Sequence, residues 1–309
     1  MRTVLCFDIG GSKYNVGLVR EDGSVVAKTK RKWTQPGVQA MLKDLFWAGH
    51  EVLTQCADEI PCAAGATIPG LADAARGMWV EASFSGIRDL PIAQLLRRQF
   101  SLPVAVENDA RACALAERMF GAGKDVQDFF YVTVSNGIGG ALFLNGALYT
   151  GAFGNAGEVG HCTVVENGRP CGCGKRGCLE AHAAGPAIRK NYLELGGSAL
   201  PDGTAPDAKE IAARARAGEA AARSTYELEG RLLGCALAQA VNILNPARII
   251  LGGGVSLAYD LFGPTLEQEL RQNIYLKAGG QVTVTPTPLG YDGGLYAAAA
   301  LALLRAKKG

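Results

Sequence analysis

Residues 3–20, TVLCFDIGGSKYNVGLVR, and residues 129–144, FFYVTVSNGIGGALFL, follow one design. Each is a β-prone run, a short glycine loop and a second β-prone run. After the first, EDGS (21–24) is a hairpin turn into VVAKTK (25–30); after the second, Asn145-Gly146 turns the chain again. The repetition predicts two related domains facing each other, each offering a glycine loop.

The remaining segments fit around this pair. Residues 37–57 read as helix and CAAGATIPGLAD (62–73) as extended chain. LPVAVE (102–107) reads as a strand that runs straight into the helical DARACALAERMF (109–120). The alanine-rich stretch 207–244 is helical, NPARIILGGGVS (245–256) is turn, buried strand and third glycine loop, and 292–309 is an apolar helix with a basic end. Asn242 and Asn245 in NILNP serve to cap or break the preceding helix. No low-complexity linker divides the chain, so motif places the boundary: residues 1–107 with 293–309 as one α/β domain, 108–292 as the other.

Of the 309 residues, 48% are hydrophobic, enough for one large core or two medium ones. With 31 basic and 29 acidic side chains the formal charge is only +2, which predicts no nucleic-acid or membrane partner. No apolar run approaches the roughly 18 residues of a transmembrane helix. The opening MRTVLCFDIGGSK holds neither a signal-peptide core nor a transit segment, and the cytoplasm is the expected location.

Nine cysteines divide into two sets. Cys6, Cys56, Cys62, Cys113 and Cys235 are scattered through apolar segments and are expected to pack as small hydrophobes. Cys162, Cys171, Cys173 and Cys178 crowd into HCTVVENGRPCGCGKRGCLE, where a cytoplasmic chain reads as a zinc site rather than a disulfide framework. Cys171, Cys173 and Cys178 supply three thiolates, and glycines 172, 174 and 177 let the loop wrap a tetrahedral ion. His161 and Cys162 compete for the fourth position. His50 and His182 lack comparable surroundings and read as surface or packed residues.

The glycine loops let a phosphate approach backbone N–H groups with no Cβ in the way. DIGGSK lacks the Walker spacing, and GGGVS at 252–256 lacks the dinucleotide fingerprint. Asp8, opening the first loop, could hold a Mg²⁺ ion through water. Asn108 and Asp109 stand at a strand-to-helix junction, where either would cap the helix and where active residues of α/β folds also collect.

DIGGSK (8–13), VENDARACALAE (106–117), VSNGIGGALFLNG (134–146), GNAGEVGH (154–161), CGCGKRGCLEAHA (171–183) and ILGGGVS (250–256) occur in the order and at the spacings of the ROK family, the bacterial sugar kinases and related repressors. The chain resembles that family over essentially its whole length. The resemblance implies an actin-like ATPase (ribonuclease H-like) fold, two α/β domains with the active site in the cleft between them. It implies Asp109 as catalytic base and Asn108, Glu158, His161 and Glu180 as sugar-binding residues, with Gly70 near the same pocket. Ser83 stands where many members have Asn or Thr. Gly10, Gly11, Ser12, Lys13, Asn136, Gly137, Gly253 and Gly254 fall to the nucleotide, Asn136 replacing the commoner Thr. The family pattern gives the fourth zinc position to His161.

The implied activity is ATP-dependent phosphorylation of a hexose at its 6-hydroxyl, with Mg²⁺ and a structural Zn²⁺, in a homodimer or homotetramer. Glucose is the favoured acceptor. N-acetylmannosamine is the runner-up, since Ser83 is smaller than the usual Asn and leaves room for a 2-acetamido group; N-acetylglucosamine and fructose are further alternatives. A sugar-sensing ROK repressor would carry a winged helix-turn-helix ahead of the first glycine loop. Here that loop begins at residue 8, so a kinase is expected. A sugar-binding module without catalysis would need a damaged Asp109 or damaged loops, and both are intact.

Overall fold

The computed structural model describes residues 1–82, 86–275 and 280–307. The chain forms two compact units, Met1–Lys124 with Tyr291–Gly309, and Asp125–Gly290. The boundaries lie at 124/125 and 290/291 instead of 107/108 and 292/293. The reason is α3 (Asp109–Phe120), which packs on the C-terminal helix α9 (Gly293–Ala306) and therefore stays with the first unit.

The first unit opens with the expected meander, β1 (Thr3–Ile9), β2 (Lys13–Arg20) and β3 (Val25–Lys32), all antiparallel. The helix α1 (Val38–Gln55) then carries the chain to β4 (Pro61–Ile68), parallel to β1. A small antiparallel sheet follows, β5 (Leu71–Asp73), β6 (Met78–Ala82) and β7 (Ile87–Leu90). Last come α2 (Ile92–Phe100) and β8 (Val104–Asn108), parallel to β4, giving the order β3-β2-β1-β4-β8. Strands buried on both faces need apolar residues at both parities. Leu5, Phe7, Ile9, Val16 and Leu18 pack against Leu45 of α1 and Leu96 of α2. Val4, Cys6 and Val19 face Leu295, Ala298 and Ala302 of α9.

The second unit repeats the plan. The strands β9 (Phe129–Val134), β10 (Ile138–Leu144) and β11 (Ala147–Tyr149) form the meander. Helices α4 (Leu179–Ala183), α5 (Gly185–Glu194), α6 (Ala208–Arg216) and α7 (Ala220–Leu244) precede β12 (Arg248–Gly252), α8 (Tyr259–Asn273) and β13 (Thr283–Pro286). The order β11-β10-β9-β12-β13 has the same pattern of antiparallel and parallel neighbours as the first sheet.

Several local readings need adjustment. The stretch 207–244 is two helices, α6 and α7, separated at Gly218. Asn245 ends α7 in a left-handed conformation, and Asn242 reaches Asn273 O at 2.9 Å, tying α7 to the end of α8. Cys6 is buried and Cys56, Cys113 and Cys235 are partly buried, but Cys62 is exposed. The pairing shifts there, with Thr3 opposite Pro61 and Val4 opposite Ala63, so Cys62 bulges out of the ladder. Among the described residues no helix is long and apolar enough to cross a membrane.

A buried acid in the core of the second unit runs against the expected chemistry. Glu229 of α7 is fully buried, and neither carboxylate oxygen has a hydrogen-bond partner among the described residues. Burial pushes its carboxyl well above the usual range. The native state then keeps a proton that the unfolded chain releases near about pH 4.3, so Glu229 lowers stability progressively as pH rises above that value. Glu229→Met, which keeps length and removes both orphaned oxygens, is expected to stabilise by about 1–3 kcal/mol near pH 8. Thermal melts from pH 5 to 8 check it: the variant should melt higher, with the gain growing toward alkaline pH.

Candidate active site and metal centre

In the first unit, strand register collects polar residues from distant parts of the sequence. Lys30 pairs with Asn15, Asn15 with Asp8, Asp8 with Thr67, and Thr67 with Glu107. Directly paired residues share a face, so the five lie in one row across all five strands. Thr67 Oγ1 donates to Asp8 Oδ1 at 3.3 Å. The first turn of α9 comes down on this carboxylate: a Cβ on Gly294 would lie 2.3 Å from Asp8 Oδ1 and would displace the carboxylate. Burial raises the Asp8 pKa, opposed by the Thr67 hydroxyl and by the charges of Lys30 and Lys13. Beside it Asn15 is buried, and its Nδ2 and Oδ1 have no partner among the described residues. A half-buried carboxylate with an unsatisfied amide next to it fits a hydrated Mg²⁺, which takes one or two carboxylates and keeps several waters.

The adjoining loop divides its labour. Gly10 N donates to Lys13 O at 2.9 Å, and Gly10 O accepts from Trp33 Nε1 at 3.0 Å. Both backbone groups of Gly10 thus close the turn, which narrows its expected role. Gly11, Ser12 and Lys13 are exposed.

At the end of β8 the cap falls to Asn108. Its Oδ1 accepts from Ala110 N at 3.0 Å and Arg111 N at 3.3 Å, while its Nδ2 donates to Gly70 O at 3.0 Å. Asn108 therefore has most of its amide engaged within the protein, and Gly70 belongs with it. Asp109 occupies the first helical position, partly buried, with Oδ1 2.8 Å from Ala110 N. Beneath them Glu107 Oε1 accepts from Asn108 N at 2.8 Å and from Arg111 Nε at 2.8 Å, a buried ion pair that fixes the junction.

In the second unit the loop 161–178 brings His161, Cys171, Cys173 and Cys178 together, with one ligand atom from each within 4.8 Å of the others. Cys162 is exposed and lies outside this group. Cys173 Sγ is 3.6 Å from Cys178 Sγ, and Cys171 Sγ is 3.7 Å from His161 Nδ1. A tetrahedral Zn²⁺ with bonds of about 2.3 Å to sulfur has ligand-to-ligand edges of about 3.8 Å, so these spacings fit it. Burial, aided by the neighbouring thiols, pushes Cys178 up to about 12, whereas the Lys175 backbone N–H foremost holds Cys173 below its usual value. A shared dication would bring such unequal sulfurs to the same thiolate form.

Glu180 joins this cluster to the second glycine loop. Its Oε1 is 3.9 Å from Cys171 Sγ, and its Oε2 accepts from Ile138 N at 2.9 Å. A Cβ on Gly137 would fall 2.5 Å from Glu180 Oε2, so a side chain at 137 would push the carboxylate out of this position. Asn136 is exposed at the tip of the loop. Gly252 pairs with Thr133, which sets the third loop beside the end of β9; Gly253 packs against Val134 O, and Gly254 faces open space. Glu158 is exposed, and its backbone carbonyl accepts from His161 N at 3.1 Å. Ser83 lies outside the described residues.

Two supporting residues escape a reading of the sequence. His182 is a brace for the cysteine loop: its Nε2 accepts from Arg169 N at 2.9 Å, and burial first, then the Arg169 charge, lowers its pKa, which keeps the ring neutral for that role. Thr67 meets Asp8 only through the β1–β4 register, for which no local signal exists.

The sequence model of the ROK family matches residues 4–305. A glucokinase from Thermotoga maritima is 34% identical over 310 residues, covering 95% of each chain. A ROK family glucokinase from Streptomyces griseus, whose structure holds glucose and AMPPNP, superposes with a TM-score of 0.84 at 30% identity, covering 98% of this chain and 99% of that one. A ROK family transcriptional regulator, homologous to the Escherichia coli MLC protein, gives 0.88 at 27% identity, covering 99% of this chain and 81% of the regulator. The chain belongs to the ROK family, and its fold is the two-domain α/β fold of ROK hexokinases and glucokinases. Within the family it is a glucokinase-like sugar kinase.

Proposed function

We propose that the protein transfers the γ-phosphoryl group of ATP to the 6-hydroxyl of a hexose, with glucose as the favoured acceptor. The observation that carries this reading is the Asn108–Asp109 junction. Asn108 Oδ1 caps the helix at Ala110 N and Arg111 N, and Asp109 stands next to it at the carboxyl end of β8, where active residues of α/β folds collect. Phosphoryl transfer asks for a carboxylate that takes the acceptor's proton as the new P–O bond forms. Asp109 takes that role, with the remaining Asn108 N–H to hold a sugar hydroxyl.

Glu158, His161 and Glu180 offer acceptors and an imidazole to the ring hydroxyls. His161 turns Nδ1 toward the cysteine cluster, leaving Nε2 for a sugar oxygen. The cluster holds a structural Zn²⁺ that fixes this ring. Gly11, Ser12, Lys13, Asn136 and Gly254 meet the nucleotide, and Asp8 holds Mg²⁺ through water, which when bound offsets phosphate charge. Glucose is favoured because the similar relatives include glucokinases. We further propose a cytoplasmic homodimer or homotetramer.

The test is a substrate panel with ATP: glucose, mannose, allose, fructose and the two N-acetylhexosamines, with the phosphate position read by NMR. Glucose should give the highest kcat/KM and a 6-phosphate. A preference above about tenfold for an N-acetyl sugar, roughly 1.4 kcal/mol of transition-state discrimination, overturns glucose. Phosphate on the anomeric oxygen overturns the assigned orientation, and no transfer to any sugar overturns the kinase reading.

A further inference from the structure

We propose that Asn15 is a positioning residue for the cation that accompanies the nucleotide, its amide holding a water of that cation's shell against Asp8. The inference rests on the kinase reading above. Its basis is an amide that the protein leaves unsatisfied at one place in the polar row. Thr67 in that row bonds Asp8, and Glu107 bonds Arg111 and Asn108 N. Asn15 is 1% exposed, and neither Nδ2 nor Oδ1 has a partner among the described residues. A buried side-chain amide left without partners is destabilising and is rarely tolerated without a ligand or a bound water.

Its setting indicates which ligand. The residue is directly opposite Asp8 on the adjacent strand, on the face covered by the start of α9. Lys30 is next along the row, so the amide lies between a cation and a carboxylate. An amide there can accept from a water through Oδ1 and donate through Nδ2 to an oxygen shared with Asp8. Mg²⁺ dehydrates reluctantly and reaches carboxylates through water, so its retained waters match this pair of groups in number and polarity. An apolar residue would pack more favourably beneath α9, as Val19 does on the same face.

The experiment measures Mn²⁺ binding in the ADP complex by electron paramagnetic resonance, for wild type, Asn15→Leu and Asn15→Ala, alongside thermal melts. Loss of a group that orients a metal's shell weakens metal affinity by about tenfold or more. Both variants should show that loss, with the Mg²⁺ concentration for half-maximal turnover rising in parallel and KM for the sugar little changed. Asn15→Leu should melt at or above wild type, because it replaces an unsatisfied amide with an apolar group of the same branching. Should Asn15→Leu fail to fold, Asn15→Ala carries the comparison. Unchanged Mn²⁺ affinity in the folded variants overturns the proposal while leaving the kinase reading intact. A wild-type protein that does not bind Mn²⁺ with ADP overturns both.

Discussion

Asp109→Asn is expected to lower kcat roughly a hundredfold or more, the scale of losing a general base, while the fold and the sugar affinity stay close to wild type. The junction explains why the two effects separate. The helix start is held by Asn108 Oδ1 on Ala110 N and Arg111 N, and the strand end by Glu107 with Arg111. Asparagine at 109 keeps the shape of the side chain and can still accept from Ala110 N, but it cannot take a proton. The exchange removes one negative charge from the first turn of α3, worth about 0.3–1 kcal/mol at most exposed sites. Steady-state kinetics, sugar binding by calorimetry and a melt check the three parts. A near-normal kcat removes Asp109 from the mechanism; a collapsed melting temperature makes its role structural.

The second large effect is expected at the cysteine cluster. Elemental analysis should find about one zinc per chain, and Cys173→Ser should lose it together with most sugar affinity. Cys173 is exposed, so its substitution removes a ligand without opening the core. What it loosens is the loop, held otherwise by turns such as Cys171 N to Lys175 O at 2.8 Å and Gly177 N to Arg169 O at 2.9 Å. His161 stands on that loop, and its ring loses its orientation when the metal leaves. A metal-free wild type with full activity would show that the coupling through His161 does not exist.

Much of this was legible in the chain because it was written locally. The duplicated strand, glycine loop and strand announce the two sheets, and both meanders form. The cysteine spacing points to the cluster, since the loop closes within 18 residues of sequence from His161 to Cys178. What escaped depends on distant pairing. The unit boundary was misplaced because α3 answers to α9, from the far end of the chain. The exposure of Cys62 follows from a register shift against β1, which composition cannot display. Of the three short strands after Gly70 only Leu71–Asp73 falls in the stretch that reads as extended chain; Met78–Ala82 and Ile87–Leu90 have no reading, because Gly70, Gly77 and the turn at 74–77 break any periodicity. Site geometry is harder still to read: the sequence offers Gly10 to a phosphate, but its N–H closes the turn on Lys13 O.

The contact between Gly137 and Glu180 makes the two positions interdependent. A side chain at 137 would begin 2.5 Å from Glu180 Oε2, so the carboxylate would have to swing aside and release Ile138 N. The glycine thus keeps the acid where it braces the loop. A change at 137 should therefore be felt first through the orientation of Glu180, and one at Glu158, which is exposed, carries no such second consequence.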